Sequence, residues 1–254
     1  MATYSAMPDA EASIDRILSE RGPLAQALEV PEKFITPNLG RVPAIMLDFW
    51  AKAGVGDLAD GMLRLCLPRE LETEIAQLFR NDPDFGFPIL PEGVEKEETQ
   101  ADTEPRITDV HALAHTAFGN LLLWSERHGL VHVDIVQGLV EAPFLFNPEA
   151  APAPDRAALD FILGADPFIL DMDDRDQQPM FDRAVTKFGP MKRMFIYAPG
   201  PAATGDPIPD VDDLFPAPYP EWLEERIMTK RFTLVDLATG RFDVRPIGAR
   251  KLRP

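Results

Sequence analysis

The chain has 254 residues, one cysteine, 45% hydrophobic residues and a formal net charge of −17. At this length roughly 70–75% of the unfolded surface can be buried, so the core needs no disulfide, and a lone cysteine suits a reducing compartment. The charge argues against direct nucleic-acid binding, and no run approaches the roughly 18 apolar residues of a membrane span, so a soluble, cytoplasmic protein is expected.

The N-terminal stretch Met1–Glu20 carries early acids and no apolar segment of signal-peptide length, which agrees with that compartment. A short, loosely attached helix is expected near Ala12–Leu18. Pro43 then opens a clearer helix, with Ile45, Met46, Phe49, Trp50 and Ala53 on one face and Gly54 as its stop. Such an aromatic stripe packs into a core far more often than it holds a cofactor. Asp57–Gly61 reads as a turn and Met62–Leu67 as a short strand, with Cys66 as a buried small hydrophobe. A second helix is expected from Pro68, burying Leu71, Ile75, Leu78 and Phe79. Asn81–Glu104 holds eight carboxylates against Lys96, so it reads as an acidic surface loop.

The stretch from Asp109 to Val136 has the clearest strand character. Val110, Ala112 and Ala114 alternate with His111, Leu113 and His115; Gly119-Asn120 supplies a turn; Leu121–Trp124 returns. After a second turn at Arg127-His128-Gly129, Val131, Val133 and Ile135 alternate with His132 and Asp134, the pattern of a strand with one buried and one wet face. Together these predict an antiparallel meander.

Prolines 143, 148, 152 and 154 mark an expected boundary, giving units 1–145 and 155–254. Asp155 can cap a helix burying Ala158, Phe161, Ile162 and Ala165. Another helix starts at Pro179, buries Phe181, Ala184, Val185 and Phe188, and stops at Gly189-Pro190. Seven prolines make Pro199–Pro220 read as a loop rather than an element. A short helix at Glu221–Met228 and a hairpin over Phe232–Val244 close the chain. The expected class is therefore α+β, an antiparallel sheet flanked by helices, with a smaller, mainly helical C-terminal region ending in a hairpin.

Charge is unevenly spread. From Arg226 onward eight Lys or Arg stand against Asp236 and Asp243, so this end is locally basic and the first 225 residues carry all of the negative excess. An acidic body keeps a protein soluble, and it also steers basic partners toward it.

Catalytic motifs are missing. His111 with His115, and His128 with His132, share a spacing of four, but in strand context and without HExxH, so polar residues on a wet face outrank a metal site. The run DMDDRD (Asp171, Asp173, Asp174, Asp176) has Asp176 where a calcium loop needs glycine, so a solvated loop outranks calcium. No nucleophile elbow, phosphate loop or dinucleotide fingerprint occurs, no pair of acids stands out as general acid and base, and no cofactor is expected. The residues by themselves support an acidic, cytoplasmic, catalytically unmarked protein.

Two blocks carry a family resemblance. VPAIMLDFWAKAGVGDLADGMLRLCLP followed by AHTAFGNLLLWSERHG, with Trp50, Ala59-Asp60-Gly61, Phe118-Gly119 and Trp124, resembles the GAD-like domain. DMDDRDQQPMFDRAVTKFGPMKRMFIYAPGP, with Pro179, Phe181, Ala184, Gly189-Pro190, Tyr197 and Pro199, resembles the C-terminal domain of immunity proteins against DNase toxins of the type VI secretion system. Together they span roughly residues 35–205, and the pattern is departed from at Arg193–Tyr197 and after Gly205. The resemblance implies a protein that neutralises a cognate toxin, a nuclease encoded nearby, by covering its active surface. Asp82, Asp84, Glu92, Glu95, Glu97 and Glu98 of the acidic loop, with Asp171, Asp173, Asp174 and Asp176, are the toxin contacts this reading selects. The alternatives are a regulatory or assembly module that binds a host protein, and a metal-dependent hydrolase built on the histidines.

Overall fold

The structure, a computed structural model, describes residues 10–87, 107–164, 170–200 and 209–248. Its strands in chain order are Ala25–Leu28 (β1), Val55–Leu58 (β2), Leu63–Leu65 (β3), Val110–Thr116 (β4), Leu121–Ser125 (β5), Gly129–Asp134 (β6), Leu139–Glu141 (β7), Phe195–Pro199 (β8), Leu214–Pro218 (β9), Thr233–Asp236 (β10) and Arg241–Pro246 (β11). Its α-helices are Ala10–Arg21 (α1), Glu32–Ile35 (α2), Ala44–Lys52 (α3), Glu72–Leu78 (α4), Pro143–Phe146 (α5), Pro154–Gly164 (α6), Phe181–Phe188 (α7) and Tyr219–Thr229 (α8). Nine strands form one sheet in the order β1-β2-β3-β4-β5-β6-β7-β10-β11, antiparallel except where β10 lies parallel to β7. β8 and β9 pair separately.

This is the expected α+β class, with the predicted meander present as β4, β5 and β6. Its faces differ from expectation. Register slips between Ala112 and Ala114, so Val110 and Ala112 join one core while Leu113 and Ala114 join the other, and His115 turns back to stack on Tyr219 at 4.2 Å between ring centroids. A bulge of this kind re-aims every side chain after it. On β6 the alternation holds, with Val131 and Val133 buried, but the other face is half-buried instead of wet: Leu130 packs against the second core and His132 and Asp134 are only partly exposed.

Helices cover both faces, which is why β5 is apolar at every position from Leu121 to Trp124. Leu121 and Leu123 meet Ile75 and Leu78 of α4 and Leu223 and Ile227 of α8 in the first core. Leu122 and Trp124 face the second core, with Ile14 and Ile17 of α1, Phe49 and Trp50 of α3, and Ala158 and Ile162 of α6. Each such aliphatic or aromatic side chain contributes about 1.5–3 kcal/mol by leaving water. The loose attachment expected of α1 is thereby corrected, since Ile14 and Ile17 are sealed in this core.

Other corrections are local. Asp57 lies in strand β2 and not in a turn; the turn is Ala59–Gly61. α4 starts at Glu72 instead of Pro68, because the Glu70 carboxylate accepts the Leu67 N–H and holds the intervening residues in a tight turn. Asp155 accepts the Ile45 N–H (2.9 Å), so it caps the start of α3, 110 residues away, and not its own helix. Within Pro199–Pro220, β9 is a strand: Pro216 and Pro218 sit opposite Tyr197 and Phe195 in a two-stranded ladder, where prolines are tolerated at an edge.

The boundary expected between residues 145 and 155 falls inside shared structure. α6 belongs to the second core with α1 and α3, and the C-terminal hairpin β10–β11 extends the sheet begun by β1.

Gly119, at the β4–β5 turn, has φ +90°, and a Cβ there would lie 2.8 Å from the Trp222 ring. Its carbonyl accepts the Tyr219 hydroxyl at 2.8 Å, so this glycine lets α8 sit against the meander.

Candidate protein-interaction face

The DMDDRD run folds around the start of α7. Asp171 accepts from the N–H groups of Met172 (2.7 Å), Met180 (3.1 Å) and Phe181 (2.9 Å), and of these the Phe181 N–H is a donor that the first turn of α7 leaves open. Burial raises the Asp171 pKa, against the pull of these three bonds. Asp174 accepts from Asp176 and Gln178, both at 2.9 Å, and its other oxygen pairs with Arg183 of α7, which holds its carboxyl below the usual range. Arg183 also reaches Asp210 at 3.3 Å.

Val211–Asp213 form a one-turn 3-10 helix capped by Asp210, with reciprocal capping between Asp210 and Asp213. Lys187 of α7 binds Asp212 at 2.8 Å, lowering its pKa, and Arg175 approaches Asp213 at 3.7 Å. Two acidic segments far apart in sequence are thus stitched to one helix. The result is a face with eight carboxylates (Asp171, Asp173, Asp174, Asp176, Asp182, Asp210, Asp212, Asp213) against Arg175, Arg183 and Lys187. Asp173, Asp176, Asp182 and Asp212 are exposed on it.

The face is anchored to the sheet. Beneath α7, Phe181 and Ala184 pack on Phe118 and Tyr197, and the Tyr197 hydroxyl donates to the Gly189 carbonyl at 2.7 Å. The segment 191–195 that follows is gripped by Arg64 of β3, which donates to the carbonyls of Lys192 (3.0 Å) and Phe195 (2.6 Å). Gln26 donates to Met191 O and accepts from Arg193 N, and one guanidinium nitrogen of Arg193 lies 2.7 and 2.8 Å from the two carboxylate oxygens of Glu70.

Of the ten contacts selected from sequence, this face gathers four: Asp171, Asp173, Asp174 and Asp176. Asp173 and Asp176 present free edges, whereas Asp171 works as a cap and Asp174 is buried against Arg183. Asp82 is corrected as a surface contact. Its side chain is 0% exposed and accepts from Arg245 at 2.7 and 2.9 Å and from Gly248 N at 2.9 Å. Burial pushes Asp82 up, and Arg245 with the Gly248 and Asp84 N–H groups more than offsets it, leaving the pKa below the usual carboxylate value. Asp84, half-buried, pairs with the same arginine. Glu92, Glu95, Glu97 and Glu98 lie outside the described residues. Sequence reasoning missed Asp182, Asp210, Asp212 and Asp213; a second acidic run, DVDD, directly before an apolar Leu-Phe pair was the available signal.

The histidines are dispersed. His111 contacts Glu126 (2.7 Å), His115 is buried against Tyr219, His128 meets Phe85 edge-on, and His132 is held neutral by burial. Among the described residues no three metal-ligating side chains come together, and no helix is long and apolar enough to cross a membrane. Cys66 is buried, and burial pushes its thiol pKa well up, away from nucleophilic character.

No protein-family model matches the chain, and no curated protein does. Among solved structures, the crystal structure of Atu4351 from Agrobacterium tumefaciens is similar over 92% of this chain and 97% of that one, with a TM-score of 0.76 and 23% identity. At that identity the likeness speaks to the fold.

Proposed function

We propose that this protein is an immunity protein that binds a cognate type VI secreted toxin, a DNase, in the cytoplasm and covers its active surface without catalysis of its own. The observation that carries the reading is the acidic face around α7, in which four exposed aspartates stand on a frame held by Arg64, Arg183 and Arg193. A DNase must present cations to phosphates, so an acidic, preorganised face meets it with complementary charge and little ordering cost. The resemblance to GAD-like and immunity-protein sequences supports the same partner.

The test is co-purification with the product of the neighbouring gene, followed by a nuclease assay of that product with and without this protein. A stable complex with nuclease activity lost supports immunity. A stable complex with full nuclease activity, or none at all, points to the regulatory or assembly module instead.

A further inference from the structure

β8 and β9 pair only with each other among the described strands, so the ribbon has two outer edges. In an antiparallel pair, residues that bond across the ladder alternate with residues whose N–H and C=O point outward. Three bonds fix the phase here: Tyr219 N–H to Met194 O, Gly200 N–H to Asp213 O, and Tyr197 N–H turned away to Ala117 O. Phe195, Tyr197 and Pro199 therefore point outward from β8, and Leu214, Pro216 and Pro218 from β9.

On the β8 edge this chain supplies arginines to the outward carbonyls. Arg64 donates to Phe195 O at 2.6 Å, and Arg226 donates to Pro199 O at 2.6 Å. The Arg226 guanidinium also lies over the Trp222 ring, 5.3 Å from its centroid. The β9 edge is built from the same groups without that arginine. Pro216 and Pro218 bring no N–H, and the Leu214 N–H is turned onto Val211 O. Leu214 is buried, and Pro218 is the N-cap of α8, where its carbonyl serves the first helical turn. Pro216 is exposed, and among the described residues no donor reaches its carbonyl. Phe215 beside it keeps 42% of its surface exposed. A carbonyl oxygen and an aromatic ring face are both electron-rich, so the pair suits a cation and repels an anion. A planar guanidinium can donate and stack at the same time, as Arg226 does, whereas an ammonium offers no plane.

We infer that the β9 edge at Phe215 and Pro216 is a docking site for an arginine side chain of a bound protein, its head on the Pro216 carbonyl and its plane against the Phe215 ring. β9 leaves the Val211–Asp213 turn of the acidic face directly, so a basic partner drawn to the aspartates meets this edge next. Only the identity of that partner, the proposed toxin, rests on the proposed function.

The experiment titrates the isolated protein with the N-acetyl amides of arginine, lysine and leucine while NMR follows the Pro216 carbonyl carbon, read through the Ala217 amide, and the Phe215 ring protons. Arginine amide should move both signals with a dissociation constant on the order of 10 mM, with lysine amide about threefold and leucine amide at least about tenfold weaker. Phe215→Leu keeps an apolar side chain and removes the ring, so it should weaken arginine amide about threefold, while Phe215→Tyr should bind as the unaltered protein does. The docking site is overturned if the Pro216 carbonyl carbon stays still, if lysine or leucine amide moves it as strongly as arginine amide, or if folded Phe215→Leu protein binds arginine amide unchanged. Arginine amide that shifts only the aspartates around α7 overturns it as well. No toxin is needed, so this outcome is read separately from the co-purification: a silent edge in a protein that still captures the toxin sinks only this contact.

Discussion

Asp171 and Asp174 belong to one acidic run, yet their hydrogen bonds give them different roles. Asp171 closes the open end of α7, so Asp171→Ala should lower stability by about 1 kcal/mol in denaturant unfolding, while Asp171→Asn, which can still accept, should lose less. His115 makes a different prediction. Burial depresses its pKa from 6.5 to about 3, so below pH 6.5 the unfolded chain takes up a proton that the folded chain refuses. Stability is therefore intact above about 6.5 and falls as the pH drops toward 3, by up to about 1.4 kcal/mol per unit for this histidine, with His132 adding in the same direction. Urea midpoints measured from pH 7.5 to 5 should show the decline, and His115→Gln should flatten it. At this scale the sequence was least informative. That Asp82 is buried is decided by Arg245, 163 residues later, and no local pattern carries that pairing.

Elements were more legible where their signal is local. The meander, the Pro43 helix, the Pro179 helix and the closing hairpin all follow from periodicity and punctuation within about a dozen residues. β1 was not foreseen because its four residues are all exposed and show no alternation. β9 was hidden by its prolines, and the parallel docking of β10 on β7 is a long-range choice that neither strand announces. The connection between elements that matters most for the acidic face is Arg64. It is buried beside Asp57 at 3.8 Å, where burial pushes the carboxyl up and the guanidinium down, so the pair holds through its bonds to the 191–195 carbonyls more than through mutual attraction. Arg64→Met should cost about 3–5 kcal/mol in denaturant unfolding, because it strands Asp57 and those carbonyls, and Asp57→Asn in the same chain should restore part of the loss.

For the whole molecule, the uneven charge was readable from composition, whereas its concentration around α7 needed the fold to bring residues 171–182 and 210–213 together. Reversing Asp173, Asp176, Asp182 and Asp212 to lysine should slow association with the proposed toxin about tenfold at low salt and by less at physiological salt, with dissociation little changed, as stopped-flow mixing would show. An unchanged rate at low salt would remove the face from the encounter.

The ends of the two sheets carry a separate consequence. β1 has one more residue than β2 between their shared pairs, β11 has two more than β10, and β9 carries Pro216 and Pro218. Bulges and prolines at sheet ends deny a passing strand the regular ladder it needs to attach. Each sheet therefore ends in a margin that a second copy of this chain cannot extend in regular register.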